Sequence, residues 1–205
     1  MSYMGDGGEA IFSPNLYFDS SFDTEAAKIL PGEYYVTKRD MVLVTVLGSC
    51  VAACIRDRVS GFGGMNHFML PDSNRDSADP ANASARYGSY AMEMMINQLL
   101  KIGARRSNLE AKLFGGASVL QGLVTANVGA RNADFALDFL HTEGIAVVGQ
   151  DLRDVYARKV YFFPYSGRVL VKKIRTMHNE TIIGREQAYR ARLKADNIQG
   201  DVELF

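Results

Sequence analysis

By residue type and spacing, Cys50 and His67 are the two side chains of this 205-residue chain best suited to covalent chemistry. Cys50 follows Leu47-Gly48-Ser49, and His67 comes seventeen residues later, behind Gly63-Gly64-Met65-Asn66. Gly48 interrupts an apolar stretch at the point where the cysteine appears, and glycine lets a backbone turn sharply. A thiol on such a turn is exposed, and the N–H groups around it can receive the oxyanion of an acyl-transfer intermediate. An imidazole alongside would lower the thiol pKa and create a thiolate–imidazolium pair. The competing readings are ordinary ones. A free cysteine is often a small buried hydrophobe, and a histidine in a strand is usually a satisfied core or edge group. The residues alone leave both readings open.

Thr45 is the candidate third member. Its hydroxyl could orient the imidazole, or it could be a plain β-former. On an unbroken strand Thr45 and Cys50 would point to opposite faces, but the turn at Gly48 removes that objection. Asn66 adjoins His67, yet a regular strand sends it to the other face, so it is a poor orienting group. Cys54 sits in Val51-Ala52-Ala53-Cys54-Ile55 without a nearby glycine and reads as a core thiol. His141 lies near a helix end, where its charge suits the dipole, and His178 lies in a polar tail. Gly115-Gly116-Ala117 either lines a site or lets the chain bend. Residues 127–132, Asn-Val-Gly-Ala-Arg-Asn, form either a pocket rim or a helix-entry loop.

The bulk numbers bound the setting. Lys plus Arg equals Asp plus Glu at 23 each, so no net field favours nucleic acid or anionic lipid. Two cysteines four residues apart on a strand lie about 13 Å apart. A disulfide needs less than about 7 Å, so both read as reduced thiols of a cytoplasmic protein. Too few Cys and His residues stand at ligand spacing for zinc. There is no run long enough to span a membrane, no secretory leader pattern, and no Walker, dinucleotide or HExxH motif.

The elements that must position these residues are mostly strands. Residues 1–31 read as an irregular arm, ending at the Pro31-Gly32 turn. Glu33–Thr37 is a short strand. Met41–Leu47 is a strand buried on both faces, continued by Val51–Ile55 beyond the turn. Met65–Leu70 is a third strand, followed by a polar loop over 72–83. A helix is expected over Ala85–Ile102, with Ala91, Met95, Leu99 and Ile102 on one stripe and Gly103 as C-cap. Its Met92, Met94 and Met95 are core filler. Leu109–Leu113 alternates like a half-buried strand. A second helix is expected from an N-cap at Asn132 to Gly144, then a strand over Ile145–Val148. Lys159–Phe163 and Arg168–Ile174 flank a hairpin turn. The last thirty residues carry a weak amphipathic stretch around Ile182, Ile183, Tyr189 and Leu193, which reads as helical. Without strict βαβ alternation, the whole reads as an α+β domain with a mixed or antiparallel sheet sandwich and flanking helices.

Several of these motifs together resemble the CheD family of chemoreceptor glutamine deamidases. They are Thr45, Leu47-Gly48-Ser49-Cys50-Val51, Gly63-Gly64-Met65-Asn66-His67 with Leu70-Pro71, and Phe114-Gly115-Gly116-Ala117. Asn127–Asn132 and Arg158-Lys159-Val160 with the Ser166-Gly167 hairpin extend the likeness over roughly residues 32–175. The resemblance implies a catalytic domain over that span, flanked by an arm (1–31) and a tail (176–205). It implies Cys50 as nucleophile, His67 as base and Thr45 as orienting hydroxyl, with Gly48, Ser49, Gly115 and Gly116 forming the oxyanion and substrate-binding surface. It also implies a fold like that of the cytotoxic necrotizing factor deamidase toxins, and no metal or organic cofactor. The implied substrate is a set of glutamines on the cytoplasmic helices of methyl-accepting chemotaxis receptors, with recruitment to receptor arrays. A CheC-type phosphatase is a further implied partner for some relatives. One departure stands out: Arg153-Asp154 occupy a loop where the family usually has glycines, so that loop is expected to follow a different path. A non-catalytic receptor- or CheC-binding adaptor, and a cysteine hydrolase of small amides or esters, are the rival functions.

Overall fold

The computed structural model describes residues 15–70, 80–118, 128–174 and 179–195. In chain order the strands are β1 (Asn15–Asp19), β2 (Thr24–Lys28), β3 (Tyr34–Thr37), β4 (Val42–Leu47), β5 (Val51–Asp57), β6 (Gly63–Asn66), β7 (Leu109–Gly115), β8 (Ala146–Leu152), β9 (Ala157–Phe163) and β10 (Arg168–Ile174). The helices are α1 (Pro80–Lys101), α2 (Val128–Thr142) and α3 (Asn179–Ala195). Two five-stranded mixed sheets form, in the orders β1-β2-β4-β9-β10 and β3-β6-β5-β7-β8. Each contains one parallel pair, β2 with β4 and β7 with β8. The fold is α+β, as expected from the sequence.

Alternation along the strands stacks three layers. Leu43 and Leu47 of β4 and Val160 and Phe162 of β9 meet Ala52, Cys54, Met65 and Phe114 of the second sheet. The other face of β5 sends Val51, Ala53 and Ile55 against Met92, Met95 and Leu99 of α1 and Ala133, Ala136 and Leu140 of α2. Strand β5 is therefore apolar at successive positions because both of its faces are covered. Each fully buried Leu or Met contributes about 2 kcal/mol, so this double burial fixes the register of the strand that follows Cys50.

Several boundaries differ from the sequence reading. The stretch expected to be irregular contains the β1–β2 hairpin, and β2 joins β4 in the first sheet. Ala26 and Ala27 are fully buried there; short alanine-containing strands carry little β-propensity of their own. Helix α2 begins at Val128, four residues before Asn132, so Asn132 lies inside the helix and does not cap it. Strand β8 runs on to Leu152 because β7 continues to offer it a parallel partner. Gly103 and Gly144 end α1 and α2 in left-handed conformations, as their positions predict. Residues 71–79, where the polar loop is expected, Asn127 and His178 lie outside the described residues.

For function, one connection matters most. Gly48-Ser49-Cys50 carries the chain from β4 in one sheet to β5 in the other. Residues of both sheets therefore converge at that end of the sandwich.

Candidate active site

Cys50 and His67 share a face of the second sheet. Strands β5 and β6 pair Cys54 with Met65, and a bridge between Val51 and Phe68 continues the same register. That register sets His67 opposite Ala52 and Cys50 opposite Met69. Cys50 and His67 are thus diagonal neighbours, with Cα atoms about 7–8 Å apart. Val51 and Phe68, between them in sequence, point the other way into the helical layer. Asn66 also faces that layer. Its side chain accepts from Ala53 N at 2.9 Å and reaches Met92 Sδ at 3.2 Å.

Thr45 arrives from the facing sheet. Its neighbours at alternate positions, Leu43 and Leu47, are buried between the sheets, and Thr45 points the same way. Its Oγ1 lies 2.8 Å from the carbonyl oxygen of Ile29 and 2.8 Å from Nδ1 of His67. A hydroxyl has one hydrogen, and a carbonyl can only accept. Thr45 therefore donates to Ile29 O and must accept from His67 Nδ1–H. This fixes the tautomer: the proton sits on Nδ1, and Nε2 carries a free lone pair. Nε2 is buried without a hydrogen-bond partner among the described residues. Burial lowers the His67 pKa to about 4, so the ring is neutral at physiological pH.

The Gly48–Cys50 connection is held from behind at every carbonyl. Ala117 N donates to Gly48 O at 2.8 Å, Asn132 Nδ2 to Ser49 O at 2.8 Å, and Gly116 N to Cys50 O at 2.7 Å. Asn132 also accepts from Leu70 N at 2.9 Å, so a single side chain ties the connection to the end of the third apolar stretch. With the carbonyls drawn back, the N–H groups of Gly48 and Cys50 turn forward onto a common point, an arrangement that receives anions. Gly115 and Gly116 belong to this backing. Gly115 has φ 109°, and a Cβ there would fall 2.2 Å from Cys50 O. Neither glycine borders the opening beside His67, which is lined by Ile29, Pro31, Val46, His67, Arg185 and Glu186.

The common point is occupied by Glu186 of α3. One carboxylate oxygen accepts from Gly48 N at 3.0 Å and Cys50 N at 3.2 Å, and the other from Ser49 Oγ at 2.6 Å. Cys50 is 0% exposed beneath it. Burial, then the charge of the Glu186 carboxylate and its hydrogen bond with the thiol, push the Cys50 pKa well above its ordinary value. The expected thiolate–imidazolium pair is therefore not the state seen here. Both partners are neutral, because the site is dry and a carboxylate stands beside the sulfur. Cys54 is a core thiol whose pKa is raised by burial.

The loop after β8 closes the backing. Arg158, fully buried, holds Gly115 O, the Asp151 carboxylate and Arg153 O, while Arg153 N donates to Gly115 O at 2.7 Å. Arg153 and Asp154 have φ of 64° and 73°. Both residues thus adopt the left-handed conformation that glycine favours. His141 is exposed at the end of α2. Among the described residues, no three His, Cys, Asp or Glu side chains cluster so as to hold a metal ion, and no helix is long and apolar enough to cross a membrane.

Sequence reasoning named Asn132 as a cap and as part of a possible pocket rim but not in this tying role, and it missed Glu186 and the Ile29 carbonyl. The tying role of Asn132 could have been flagged only by its being a polar residue on the apolar face of α2. Glu186 and Ile29 carry no local signal.

Comparison with known proteins now bears on this arrangement. A family model described as CheD chemotactic sensory transduction matches residues 69–173. "Probable chemoreceptor glutamine deamidase CheD" of Herminiimonas arsenicoxydans is 62% identical over 95% of this chain and 96% of its own length. The chain belongs to the CheD family. Proteins of the same name from Methylobacillus flagellatus and Thiobacillus denitrificans are 63% and 62% identical, over 96% and 98% of this chain and 98% and 100% of their own. The family model covers the backing elements β7, α2 and β9 but starts just after His67. The CheD relatives run past both ends of the 32–175 span, so the likeness extends into the flanking segments. A solved structure, Bacillus licheniformis hypothetical protein YfiH, aligns over 60% of this chain and 49% of its own with a TM-score of 0.35 and 13% identity. That likeness is too slight to bear on the fold, which rests on the strand order above.

Proposed function

We propose that this chain hydrolyses glutamine side chains of chemoreceptors to glutamate, with Cys50 as nucleophile, His67 as base and Thr45 as the group that fixes the imidazole. The observation that carries this reading is the direction of the hydrogen bonds at Thr45. They leave a bare, buried Nε2 on the face of the sheet that also bears Cys50.

The chemistry follows from that arrangement. His67 Nε2 takes the Cys50 proton as sulfur attacks the carboxamide carbon. Charge collects on the amide oxygen, which the Gly48 and Cys50 N–H groups receive, each donor being worth about 3–4 kcal/mol in well-organised hydrolases. The tetrahedral intermediate breaks its C–N bond, and ammonia departs with the proton held by His67. Water, deprotonated by His67, then attacks the thioester carbonyl, and the sulfur leaves and regains its proton. No step requires a metal or an organic cofactor. On this reading the substrates are methyl-accepting receptors approached from the cytoplasm at their arrays, and a CheC-type phosphatase is a candidate regulatory partner.

The test is Gln-to-Glu conversion on a receptor cytoplasmic fragment, followed by mass spectrometry. C50A and H67A are expected to lose activity by about a thousandfold or more, and C54A to keep it. Conversion at the wild-type rate by C50A would reject the assignment. The burial of Cys50 favours a second reading, a receptor- or CheC-binding adaptor. That reading predicts capture of the fragment by wild type and C50A alike, with no conversion by either.

A further inference from the structure

The proposed reaction needs a protein glutamine to reach a sulfur that is fully covered, and what covers it is part of this chain. Helix α3 reaches the site through one stripe. Glu186 enters the Gly48–Cys50 N–H pair, Tyr189 packs on Gly32 and meets the Tyr87 hydroxyl at 2.5 Å, and Leu193 lies against the sandwich core. These three positions, i, i+3 and i+7, fall on one helical face. The remaining α3 side chains described are exposed or half-buried, among them Arg185, Gln187, Ala188, Ala191 and Arg192. The described part of this stripe carries few apolar side chains, and a helix held by few of them opens locally at low cost.

The chemistry of the contact is as informative as its position. The N–H pair that would receive the amide oxygen of a glutamine holds a carboxylate oxygen, and the adjoining Ser49 hydroxyl donates to the other oxygen of the same carboxylate. A glutamate side chain presented from a helix is what deamidation leaves on a receptor helix. We propose that α3 is a tethered product mimic: its Glu186 occupies the subsite of the receptor glutamine and shuts the enzyme until a receptor helix displaces it. This rests on the deamidase reading of the same site. The fully buried sulfur is then a resting state and not an obstacle to catalysis.

Three measurements on the full-length chain test this. First, E186A should be alkylated by iodoacetamide at Cys50 at least tenfold faster than wild type, with the site located by peptide mass spectrometry. Second, its initial rate of conversion on the receptor fragment should rise severalfold. Third, E186Q places an amide in the subsite. Incubated alone, it should convert to the acid at position 186 at a rate independent of protein concentration. Gln187, exposed on the same helix, should remain an amide. C50A/E186Q should not convert. Unchanged alkylation and unchanged or slower receptor turnover in E186A, from a wild type that does convert the receptor, would overturn the proposal. So would an E186Q amide that persists while receptor glutamines are converted. If wild type leaves the receptor fragment untouched, the deamidase reading fails instead, and the alkylation rates still decide whether α3 covers the thiol.

Discussion

Cys50 lies between two walls of different construction. Behind it, three carbonyls of the Gly48–Cys50 connection are tied by Ala117, Asn132 and Gly116, and the facing sheet holds His67 through Thr45. In front, the described side chains that α3 lays against the site and the core include one carboxylate, one tyrosine and one leucine. The back wall ties all three carbonyls of the connection and His67 Nδ1 to designated partners, and such networks are rigid because each broken bond leaves an unpaired group. Among the described side chains of the front wall, Tyr189 and Leu193 are the apolar groups laid against the sandwich core. The contrast teaches where precision is required: groups that must aim at a transition state are built in, and groups that must make way are laid on.

The back wall is expected to fail hardest at Gly115. Its φ of 109° is closed to ordinary side chains, and a Cβ would strike the Cys50 carbonyl. G115A should lose about 4 kcal/mol or more in denaturant unfolding, combining backbone strain with overpacking. A wild-type midpoint for G115A would show that the backing yields, and the contrast between the walls would fall.

His67 gives the next effect, through pH. The unfolded imidazole titrates near 6.5, the folded one near 4. Above pH 6.5 both states are neutral and the folded form has its full stability. As pH falls through the window from 6.5 to about 4, the unfolded chain takes up a proton that the folded chain refuses. Stability therefore declines across that window, by roughly 3 kcal/mol for this group. The difference between wild-type and H67Q unfolding free energies, followed from pH 7 to 4, should show that decline. A flat difference would mean that the ring is wetter than its burial implies.

Thr45 is smaller in stability but sharp in kinetics. T45V keeps the shape and removes the hydroxyl, leaving the Ile29 carbonyl and His67 Nδ1–H unpaired at a net cost of about 2 kcal/mol. The imidazole is then free to change tautomer, so kcat on the receptor fragment should fall by one to two orders of magnitude with KM little changed. T45S should restore most of it. Equal kcat for T45V and wild type would remove Thr45 from the positioning role.

These walls were unequally legible in the sequence. Strand patterning and the Gly48 break make Cys50, His67 and Thr45 candidates while leaving ordinary core readings open, and the family resemblance chooses between them. Glu186 lies 136 to 138 residues beyond the groups it binds, in a helix whose polar face looks like any solvated surface. Nothing local marks it. Asn132 misled for a physical reason: asparagine near a helix start usually caps it, but here it sits one turn inside and serves the neighbouring connection. The charge state of His67 and Cys50 was likewise out of reach, since it depends on burial by segments far away in the chain.

The finest test separates the walls without breaking either. Y189F removes only the hydroxyl that meets Tyr87 at the edge of α3, a bond worth about 1 kcal/mol. If α3 opens independently, that loss appears in the local opening equilibrium and not in global unfolding. Cys50 alkylation should then accelerate about fivefold, since 1.4 kcal/mol corresponds to about tenfold, while the unfolding midpoint moves by a fraction of its width. Were the hydroxyl instead to lower global stability by the same amount and leave alkylation unchanged, α3 would open only when the whole sandwich does. The front wall would then be as much a part of the fold as the back.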